Sequence, residues 1–419
     1  MILGKYSLGI GDRFGRQGKA QLAALIKAKE TGLDITPVWN KSHREHTIVG
    51  TEPADTRREA DEAVGACGWK GPYFVDADHI GLKNVDRFIE SSDFFTLDVA
   101  DFISRPADEK DIARFVRERS KYVGTLAIPG IEMGLHVTQE QIRAIAAKYL
   151  FAVKQAGEIY RHIASAKGAG KFITEVSMDE TDQPQTPVEM FFILAAIADE
   201  GIPAATIAPK FTGRFNKGVD YVGDVTAFAG EFERDLAVVA FAAAEFGLPR
   251  DLKLSVHSGS DKFSIYGPIN RALKKFDAGL HLKTAGTTWL EELAGLALAG
   301  GEALWFAKEV YMQAFRRIDE LCRPYASVVD IDRSRLPEPV EVHFWTRRRF
   351  VATLRHDQSC KDYNPSFRQL LHIAYKLAAE ARQYYLDALQ KYEAIIAPQV
   401  TANLYERHIK RVFMSPSLA

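Results

Sequence analysis

The chain has 419 residues, 47% hydrophobic and 26% charged, which is typical of a globular protein with a substantial core. Its formal net charge of −1 offers no general attraction to nucleic acid or to an anionic membrane surface. The most apolar window, Leu236–Leu248, contains Glu245 and falls short of a membrane span. Cys67, Cys322 and Cys360 lie far apart, which fits a reducing cytoplasm and argues against disulfides or a thiolate zinc site.

Short apolar runs alternate with helical periodicity over residues 1–323. The predicted strands are Tyr6–Gly11, Ile35–Asn40, Tyr73–Asp78, Phe94–Val99, Lys171–Val176, Ala205–Phe211, Lys253–His257 and Gly279–Lys283. The predicted helices are Gln17–Lys29, Thr56–Ala66, Val85–Glu90, Thr138–Lys167, Pro187–Glu200, Val225–Phe246, Ile265–Phe276 and Thr288–Leu321. This alternation predicts an α/β fold, a (β/α)8 TIM-like barrel, with a doubly wound open sheet as the competing arrangement.

Beyond residue 323 the strand–helix alternation stops. Pro324, Pro337 and Pro339 mark a connector, and Phe367–Ala397 has the periodicity of one long amphipathic helix. We therefore predict that residues 324–419 form a mainly helical C-terminal extension. It would cover part of the barrel or mediate a homo-oligomer.

Ionisable residues gather at the carboxyl ends of the predicted strands, while the strand bodies are apolar. In a (β/α)8 barrel these ends meet at one mouth, where the chemistry takes place. The third strand ends in two carboxylates and an imidazole, Asp76, Asp78 and His79. The other ends carry Asp12, Arg13, Asn40, Lys41, Asp98, Asp101, Glu175, Lys210, His257, Asp261 and Lys283.

His79 and His257 are the candidate metal ligands. Taken alone, each is more often a hydrogen-bonded structural histidine, but strands three and seven of a closed barrel would bring both into one mouth. Neutral imidazoles bind divalent metals there, and carboxylates complete the coordination sphere. Glu175 is the best placed carboxylate. Asp220, in the loop after strand six, is a further candidate that could equally cap a turn.

The spacing of Asp76 and Asp78 puts both carboxylates on the same side of a strand. Two neighbouring carboxylates raise the pKa of one of them, which suits a proton-transfer group. We expect Asp78 to be the functional carboxylate and Asp76 to accept hydrogen bonds from neighbouring backbone.

Several basic and polar residues are candidates for substrate binding. Lys210 and Lys283 could hold substrate hydroxyls or a carboxylate, and Asn40 ends strand two. Arg13 and Arg44 suit a carboxylate, because a guanidinium binds it through two parallel hydrogen bonds. Alternatively, Lys210 is the Schiff-base lysine of a class I aldolase, a role that requires a depressed pKa.

Four motifs resemble the tagaturonate epimerase family. The resemblance spans roughly residues 5–290 and rests on Gly9–Arg13, Pro72–His79, Pro209–Phe215 and His257–Phe263. It implies an enzyme that uses a divalent cation, and zinc, manganese, cobalt and nickel are the candidates. The implied reaction interconverts the keto-uronate tagaturonate and its C4 epimer, fructuronate. The implied roles are Asp78 as proton acceptor, Glu175 as proton donor, His79 and His257 as metal ligands, and Asp220 or Asp224 as a further ligand.

Inversion at C4 is a chemical problem, because the C4–H bond of a 2-ketose is not activated by the carbonyl group. A base that removes the C4 hydroxyl proton would allow retro-aldol cleavage, rotation of the aldehyde and re-addition. An aldose–ketose isomerase acting on a neutral sugar needs much the same residues, so the sequence leaves that alternative open. In each case the partner is a small sugar or sugar acid. A sugar-binding barrel without catalytic activity is the remaining option.

Overall fold

The computed structural model describes residues 1–414 and shows eight parallel strands that form a closed barrel. Hydrogen bonds between the first and last strands close it, which excludes the open sheet. All eight predicted strands are present. They are β1 (Tyr6–Ile10), β2 (Thr36–Ser42), β3 (Phe74–Ile80), β4 (Phe94–Asp98), β7 (Ile173–Ser177), β8 (Ala204–Ala208), β9 (Lys253–Val256) and β10 (Leu280–Lys283).

A short antiparallel hairpin interrupts the alternation between β4 and β7. It consists of β5 (Gly124–Leu126) and β6 (Leu135–Val137), and it was not predicted. The glycine-rich stretch Pro129–Gly134 connects its two strands. The fourth connection of the barrel is therefore longer than the others.

Helices surround the barrel, and several begin where the sequence carries a capping signal. Thr138 and Gln141 form a capping box, as do Thr186 and Glu189, so both helix starts are set locally. The helices of this region are Gly18–Glu30, His43–Val49, Pro53–Cys67, Glu109–Arg119, Gln139–Lys167, Pro187–Asp199, Val225–Phe246, Phe263–Lys275, Thr288–Ala299, Gly301–Arg316 and Ile318–Cys322.

Two helix predictions were wrong in extent. The predicted helix Thr288–Leu321 is divided at Gly300, whose φ of 78° lies outside the helical region. The predicted helix Val85–Glu90 is only a 3₁₀ turn, Val85–Arg87.

The interior of the barrel is apolar at the amino end of the strands and polar at the carboxyl end. Along β3, Val75 and Ala77 pack outward into the main core, so Phe74, Asp76 and Asp78 occupy the inner face. A separate apolar cluster closes the lower end, formed by Leu3, Val38, Phe74, Phe94, Ile173 and Ala205. Buried polar and ionisable side chains follow toward the mouth, among them Asp76, Thr96, Glu175 and Lys283.

The C-terminal extension is mainly helical, as predicted, but Phe367–Ala397 is not one helix. It is broken at Ala374, Ala381 and Tyr392, where ψ rises to between 2° and 27°. The breaks let successive helices contact different helices of the barrel. The helices of the extension are Pro339–His343, Arg347–Leu354, Pro365–Ile373, Tyr375–Glu380, Arg382–Lys391, Glu393–Ala402 and Lys410–Phe413, with a π-helical segment at Asn403–Ile409.

The extension shares an apolar core with the barrel. Phe14 and Trp289 from the barrel pack against Tyr385, with ring centroids 4.6 and 5.5 Å from the tyrosine ring. The Tyr385 hydroxyl donates to Glu292 Oε2 at 2.6 Å. Within residues 1–414, no helix combines the length and the apolar character needed to cross a membrane.

Candidate active site

A cavity of about 250 Å³ opens at the carboxyl ends of the strands. Its lining brings together residues that the sequence assigned to separate strand ends, as a closed barrel requires. The predicted residues among them are Arg13, Asn40, Asp78, His79, Lys210, His257 and Lys283.

A local departure from β geometry turns His79 into the cavity. Alternation along β3 would send the residue after Asp78 to the outer face. His79 has a φ of 52°, and the pairing of β3 with β4 shifts register between Ala77 and Ile80. A positive φ is unfavourable for a residue with a Cβ, and such strain is often retained at functional sites. The strained backbone thus lets Asp78 and His79 line the same cavity.

His79, Asp179 and His257 form a group that could hold a metal ion. One donor atom from each lies within 4.8 Å of the donor atoms of the other two. The imidazole rings of the histidines are 5.1 Å apart, edge to face. His257 Nδ1 lies 3.1 Å from Asp179 Oδ1, yet it has no hydrogen-bond partner within residues 1–414. Two ligands that share a cation produce this arrangement, and the donor set fits a divalent metal.

Carboxylates hold the other nitrogen of each ring. His257 Nε2 lies 2.7 Å from Glu175 Oε1, and His79 Nδ1 lies 3.2 Å from Asp98 Oδ2. A carboxylate behind a histidine fixes the orientation of the ring and raises its basicity as a ligand. Both rings are therefore oriented by strand-end carboxylates and leave one nitrogen for a ligand in the cavity.

Lys283 connects the acidic residues beneath the cavity. Its Nζ lies 2.9 Å from Asp76 Oδ2, 2.7 Å from Asp78 Oδ1 and 2.9 Å from Glu175 Oε1. Thr96 Oγ1 lies 3.0 Å from Asp76 Oδ1 and 3.1 Å from Glu175 Oε1, and its single hydroxyl proton can be donated to either carboxylate. Asp76 thus accepts hydrogen bonds from side chains, and the expectation that it bonds neighbouring backbone was wrong.

The network divides its carboxylates into two protonation states. Burial raises the pKa of Asp76 to about 7, and the nearby Lys283 opposes that rise only in part. Burial also acts on Asp78, but the Lys283 ammonium and, while no cation is bound, the protonated imidazoles of His79 and His257 outweigh it and hold its pKa below the usual range. Asp78 is therefore ionised, which is the state that a proton acceptor needs.

The extension completes the wall of the cavity. Ser327, Val328 and His372 line it together with the strand-end residues. His372 is buried, and burial holds its pKa well below the usual value, so its imidazole is neutral. The active site thus combines residues on both sides of the predicted boundary at residue 323.

Comparison with known proteins identifies the family. The family described as UxaE, tagaturonate epimerase, matches residues 2–412. The chain belongs to the tagaturonate epimerase family. It is accordingly an enzyme, an epimerase of uronates, as the resemblance of its motifs implied.

Relatives and solved structures agree with this membership. The tagaturonate/fructuronate epimerase of Thermotoga maritima is 28% identical over 97% of this chain and 79% of its own length. Two glycerol-complexed crystal structures of fructuronate-tagaturonate epimerase from Cohnella laeviribosi align with a TM-score of 0.81. Their identity is 23%, covering 98% of this chain and 82% of theirs, and this likeness supports the fold.

Two aspartates proposed as further metal ligands lie outside the metal group of the enzyme. Asp220 accepts hydrogen bonds from the backbone and hydroxyl of Ser264 at the start of a barrel helix. Asp224 caps the helix Val225–Phe246 through the amides of its first turn. Both carboxylates accept hydrogen bonds from the first turn of a helix, and the structure does not bring either aspartate to the histidines.

Glu175 and Lys210 are placed differently from each other. Glu175 is fully buried and contacts Thr206, His257 and Lys283, and it lies below the cavity lining. Lys210 lines the cavity, and its backbone amide donates to Gln185 Oε1 at 2.7 Å. Of these two predicted residues, only Lys210 is directly exposed to a molecule in the cavity.

Asp179 is the functional candidate that sequence reasoning missed. Strand β7 continues to Ser177, one residue beyond the predicted end, and Asp179 follows in the loop. Glu175, Ser177 and Asp179 are separated by two residues each, the spacing of one strand face. Extending the alternation past the predicted end of the strand would have identified Asp179.

Proposed function

We propose that this enzyme interconverts tagaturonate and fructuronate with a divalent cation bound by His79, Asp179 and His257. The observation that carries the proposal is the convergence of these three donors beside ionised Asp78, in a barrel of the tagaturonate epimerase family. Two imidazole nitrogens and one carboxylate oxygen suit zinc, manganese, cobalt or nickel. Such a cation, when bound, polarises substrate oxygens as a Lewis acid.

Asp78 is the proposed proton acceptor. It removes the C4 hydroxyl proton, the C3–C4 bond breaks, and C4 becomes an aldehyde while C2 and C3 form an enediolate. Rotation of the aldehyde and re-formation of the bond invert C4, and Asp78 returns its proton to the new C4 oxygen. The Lys283 ammonium, 2.7 Å from Asp78 Oδ1, keeps this carboxylate ionised between turnovers.

The contacts of Glu175 fit a positioning residue better than a proton donor. The family resemblance implies a proton donor, but Glu175 is buried below the cavity, and Lys283 and His257 hold its pKa well below the usual value despite burial. An ionised carboxylate has no proton to donate. Its contacts with His257 and Lys283 instead orient a candidate metal ligand and the ammonium beside Asp78.

Glu175→Gln distinguishes the two roles. As a positioning residue, Glu175 fixes His257, so the variant loses metal affinity by about 10- to 100-fold, and excess metal restores part of the activity. As a proton donor, it would leave metal content intact, and saturating metal would restore nothing. Metal titrations followed by activity measurements report both quantities on the same protein.

Metal removal tests the proposed cofactor. Dialysis against a chelator is expected to abolish the conversion of tagaturonate to fructuronate, and zinc, manganese, cobalt or nickel added singly is expected to restore it. Full activity in a metal-free preparation would contradict the proposal. Borohydride trapping of substrate on Lys210 in that preparation would instead establish a class I aldolase.

Isotope labelling tests the route of the reaction. A retro-aldol route in D₂O introduces no deuterium at C1 or C2, because no proton moves between these carbons. Deuterium at either position would establish aldose–ketose isomerisation. Nuclear magnetic resonance of the recovered sugar distinguishes the two outcomes.

A further inference from the structure

The cations around the cavity differ in whether the protein already neutralises them. Arg13 Nε lies 3.3 Å from Glu45 Oε1, and the guanidinium packs over the Tyr375 ring. Lys283 contacts three carboxylates, and Arg214 lies 3.0 Å from Asp330. A substrate carboxylate would have to compete with these acidic residues of the protein.

Three cavity cations, Lys210, Lys217 and Arg44, have no such counter-ion among the described residues. The Lys210 ammonium also makes no hydrogen bond there, which leaves Lys217 and Arg44 as the oriented pair. Within residues 1–414, no carboxylate oxygen lies within 4.0 Å of the charged nitrogens of either side chain. Lys217 Nζ donates to Ser258 Oγ at 2.9 Å. Arg44 lies over the Tyr325 ring at 5.0 Å, and it donates to the carbonyl of Pro324 at 3.4 Å. Neutral partners therefore orient both cations without neutralising them.

Both cations face the same part of the active site. A second cavity of about 270 Å³ adjoins the first and is lined by Lys217 and Arg44 together with Asp78 and His79. Lys217 also lines the first cavity. Ser258, which holds the Lys217 ammonium, directly follows the candidate metal ligand His257. Lys217 thus lines both cavities and contacts the residue that follows a candidate metal ligand.

The positive charges of Lys217 and Arg44 favour the binding of an anion beside them. Burial lowers the pKa of Lys217. The more distant carboxylates of Glu180, Glu45 and Asp179 oppose this effect, and the positive charge of Arg44 adds to it. An anionic group between the two cations would relieve their mutual repulsion and offset the desolvation of the lysine. The only permanent anionic group of a hexuronate is its carboxylate.

We propose that Lys217, together with Arg44, binds the substrate's carboxylate and makes the enzyme prefer a uronate over the corresponding neutral ketohexose. The inference rests on the proposed uronate epimerase function and deepens it. It moves the recognition of the carboxylate from Lys210, Arg13 and Lys283 to two cations that neutral partners orient. Lys217 lies nine residues beyond the end of β8, outside the strand ends at which sequence reasoning looked.

The test compares Lys217→Met and Lys217→Arg on tagaturonate and on tagatose, which has a hydroxymethyl group in place of the carboxylate. Loss of a charge-assisted hydrogen bond is expected to reduce kcat/KM for tagaturonate by about 10- to 100-fold in Lys217→Met, mainly through KM. Activity on tagatose should change far less. Lys217→Arg should retain most of the preference, because it keeps the charge.

Lys210→Met tests the rival assignment, because Lys210 is another lysine of the same cavity without a carboxylate counter-ion among the described residues. It is expected to affect both sugars in equal proportion. An unchanged ratio of the two kcat/KM values in Lys217→Met would overturn the inference, as would a loss of preference in Lys210→Met alone.

Calorimetric binding of tagaturonate distinguishes a failure of this inference from a failure of the proposed function. Wild-type protein that binds tagaturonate without converting it would contradict the epimerase proposal only. Lys217→Met that binds tagaturonate as tightly as wild type would overturn the role of Lys217, whatever the activity. Weaker binding by Lys217→Met, with retained binding by Lys217→Arg, would support it.

Discussion

Asp179 provides a test of the metal site at the level of a single residue. Its carboxylate is the only acidic donor in the group with His79 and His257 within residues 1–414. Asp179→Asn removes the negative charge that attracts the cation and a strong oxygen ligand. We expect metal affinity and kcat/KM to fall by more than the 10- to 100-fold that loss of an outer-shell partner causes. Metal content by mass spectrometry and initial rates with tagaturonate measure these losses.

Asp101→Asn is the control for this variant. Asp101 also lies just after a barrel strand, but it is exposed and outside the cavity lining. It is expected to keep wild-type metal content and activity. Asp179→Asn protein with a full complement of metal would show that the histidines hold the cation with another ligand.

The sequence predicted which ionisable residues lie at this site better than it predicted which of them contact one another. The alternation rule put Asp76 and Asp78 on one strand face, and both side chains do contact Lys283. It would have placed His79 outside the barrel, since neither the positive φ nor the register shift has a sequence signal there. Which cations retain a free charge depends on contacts such as Arg13 with Glu45, between separate strand ends.

Asp235, on the helix Val225–Phe246, leads to a prediction of how the stability of the protein depends on pH. Its side chain is fully buried, and neither carboxylate oxygen has a hydrogen-bond partner within residues 1–414. Burial, reinforced by Glu231, raises its pKa well above the usual value. The folded chain therefore keeps a proton that the unfolded chain releases, so wild-type stability falls as the pH rises above the pKa of the unfolded chain, about 3.9.

Asp235→Asn should remove this pH dependence. We expect its melting temperature to match wild type near pH 4 and to exceed it increasingly toward pH 8, by the equivalent of about 1–3 kcal/mol. Asp362→Asn, in an exposed turn of the extension, should show no such trend. Parallel melting curves of Asp235→Asn and wild type across this pH range would refute the argument.

Helix positions were predicted well at the capping boxes of Thr138 and Thr186, and poorly where tertiary packing divides a helix. The helices His43–Val49 and Glu109–Arg119 were missed although Ser42 and Asp108 cap them. Thr138 and Thr186 announce helix starts in the sequence. The breaks at Ala374, Ala381 and Tyr392 involve neither glycine nor proline. The helical periodicity of apolar residues therefore continues across them and gives no sign of a break. They follow from the course of the extension around the barrel, which depends on the shape of the folded molecule.

For the whole molecule, assembly into a homo-oligomer through the extension stays a prediction. Trp305, on the helix Gly301–Arg316, is 53% exposed, and Phe344, directly after the helix Pro339–His343, is 78% exposed. Lys308 joins these two helices by donating to the carbonyl of His343. Sedimentation is expected to show a dimer for wild type and a monomer for the double variant Trp305→Glu, Phe344→Glu. Met133→Glu, at an exposed apolar site on the barrel hairpin, should leave the dimer intact. A monomeric wild type at all concentrations would contradict the prediction.

The division at residue 323 can be tested by truncation. Removing residues 324–419 would expose the apolar faces of Phe14, Trp289 and Leu293, which the extension buries. Each such side chain contributes about 1.5–3 kcal/mol when buried, and a whole domain is stable by only about 5–15 kcal/mol. We therefore expect residues 1–323 to aggregate or to bind hydrophobic dyes, and the full chain to unfold in one calorimetric transition.

The truncated chain should also lack activity, because Ser327, Val328 and His372 line the cavity. His372→Ala in the full chain is the companion variant, since it alters the cavity wall and leaves the shared core in place. A soluble fragment 1–323 that melts cooperatively at the wild-type temperature would show that the barrel is an independent domain. In that case the extension would serve the active site without stabilising the barrel. Loss of cooperative melting in the fragment, with a folded but impaired His372→Ala, would show that the extension both stabilises the barrel and shapes its site.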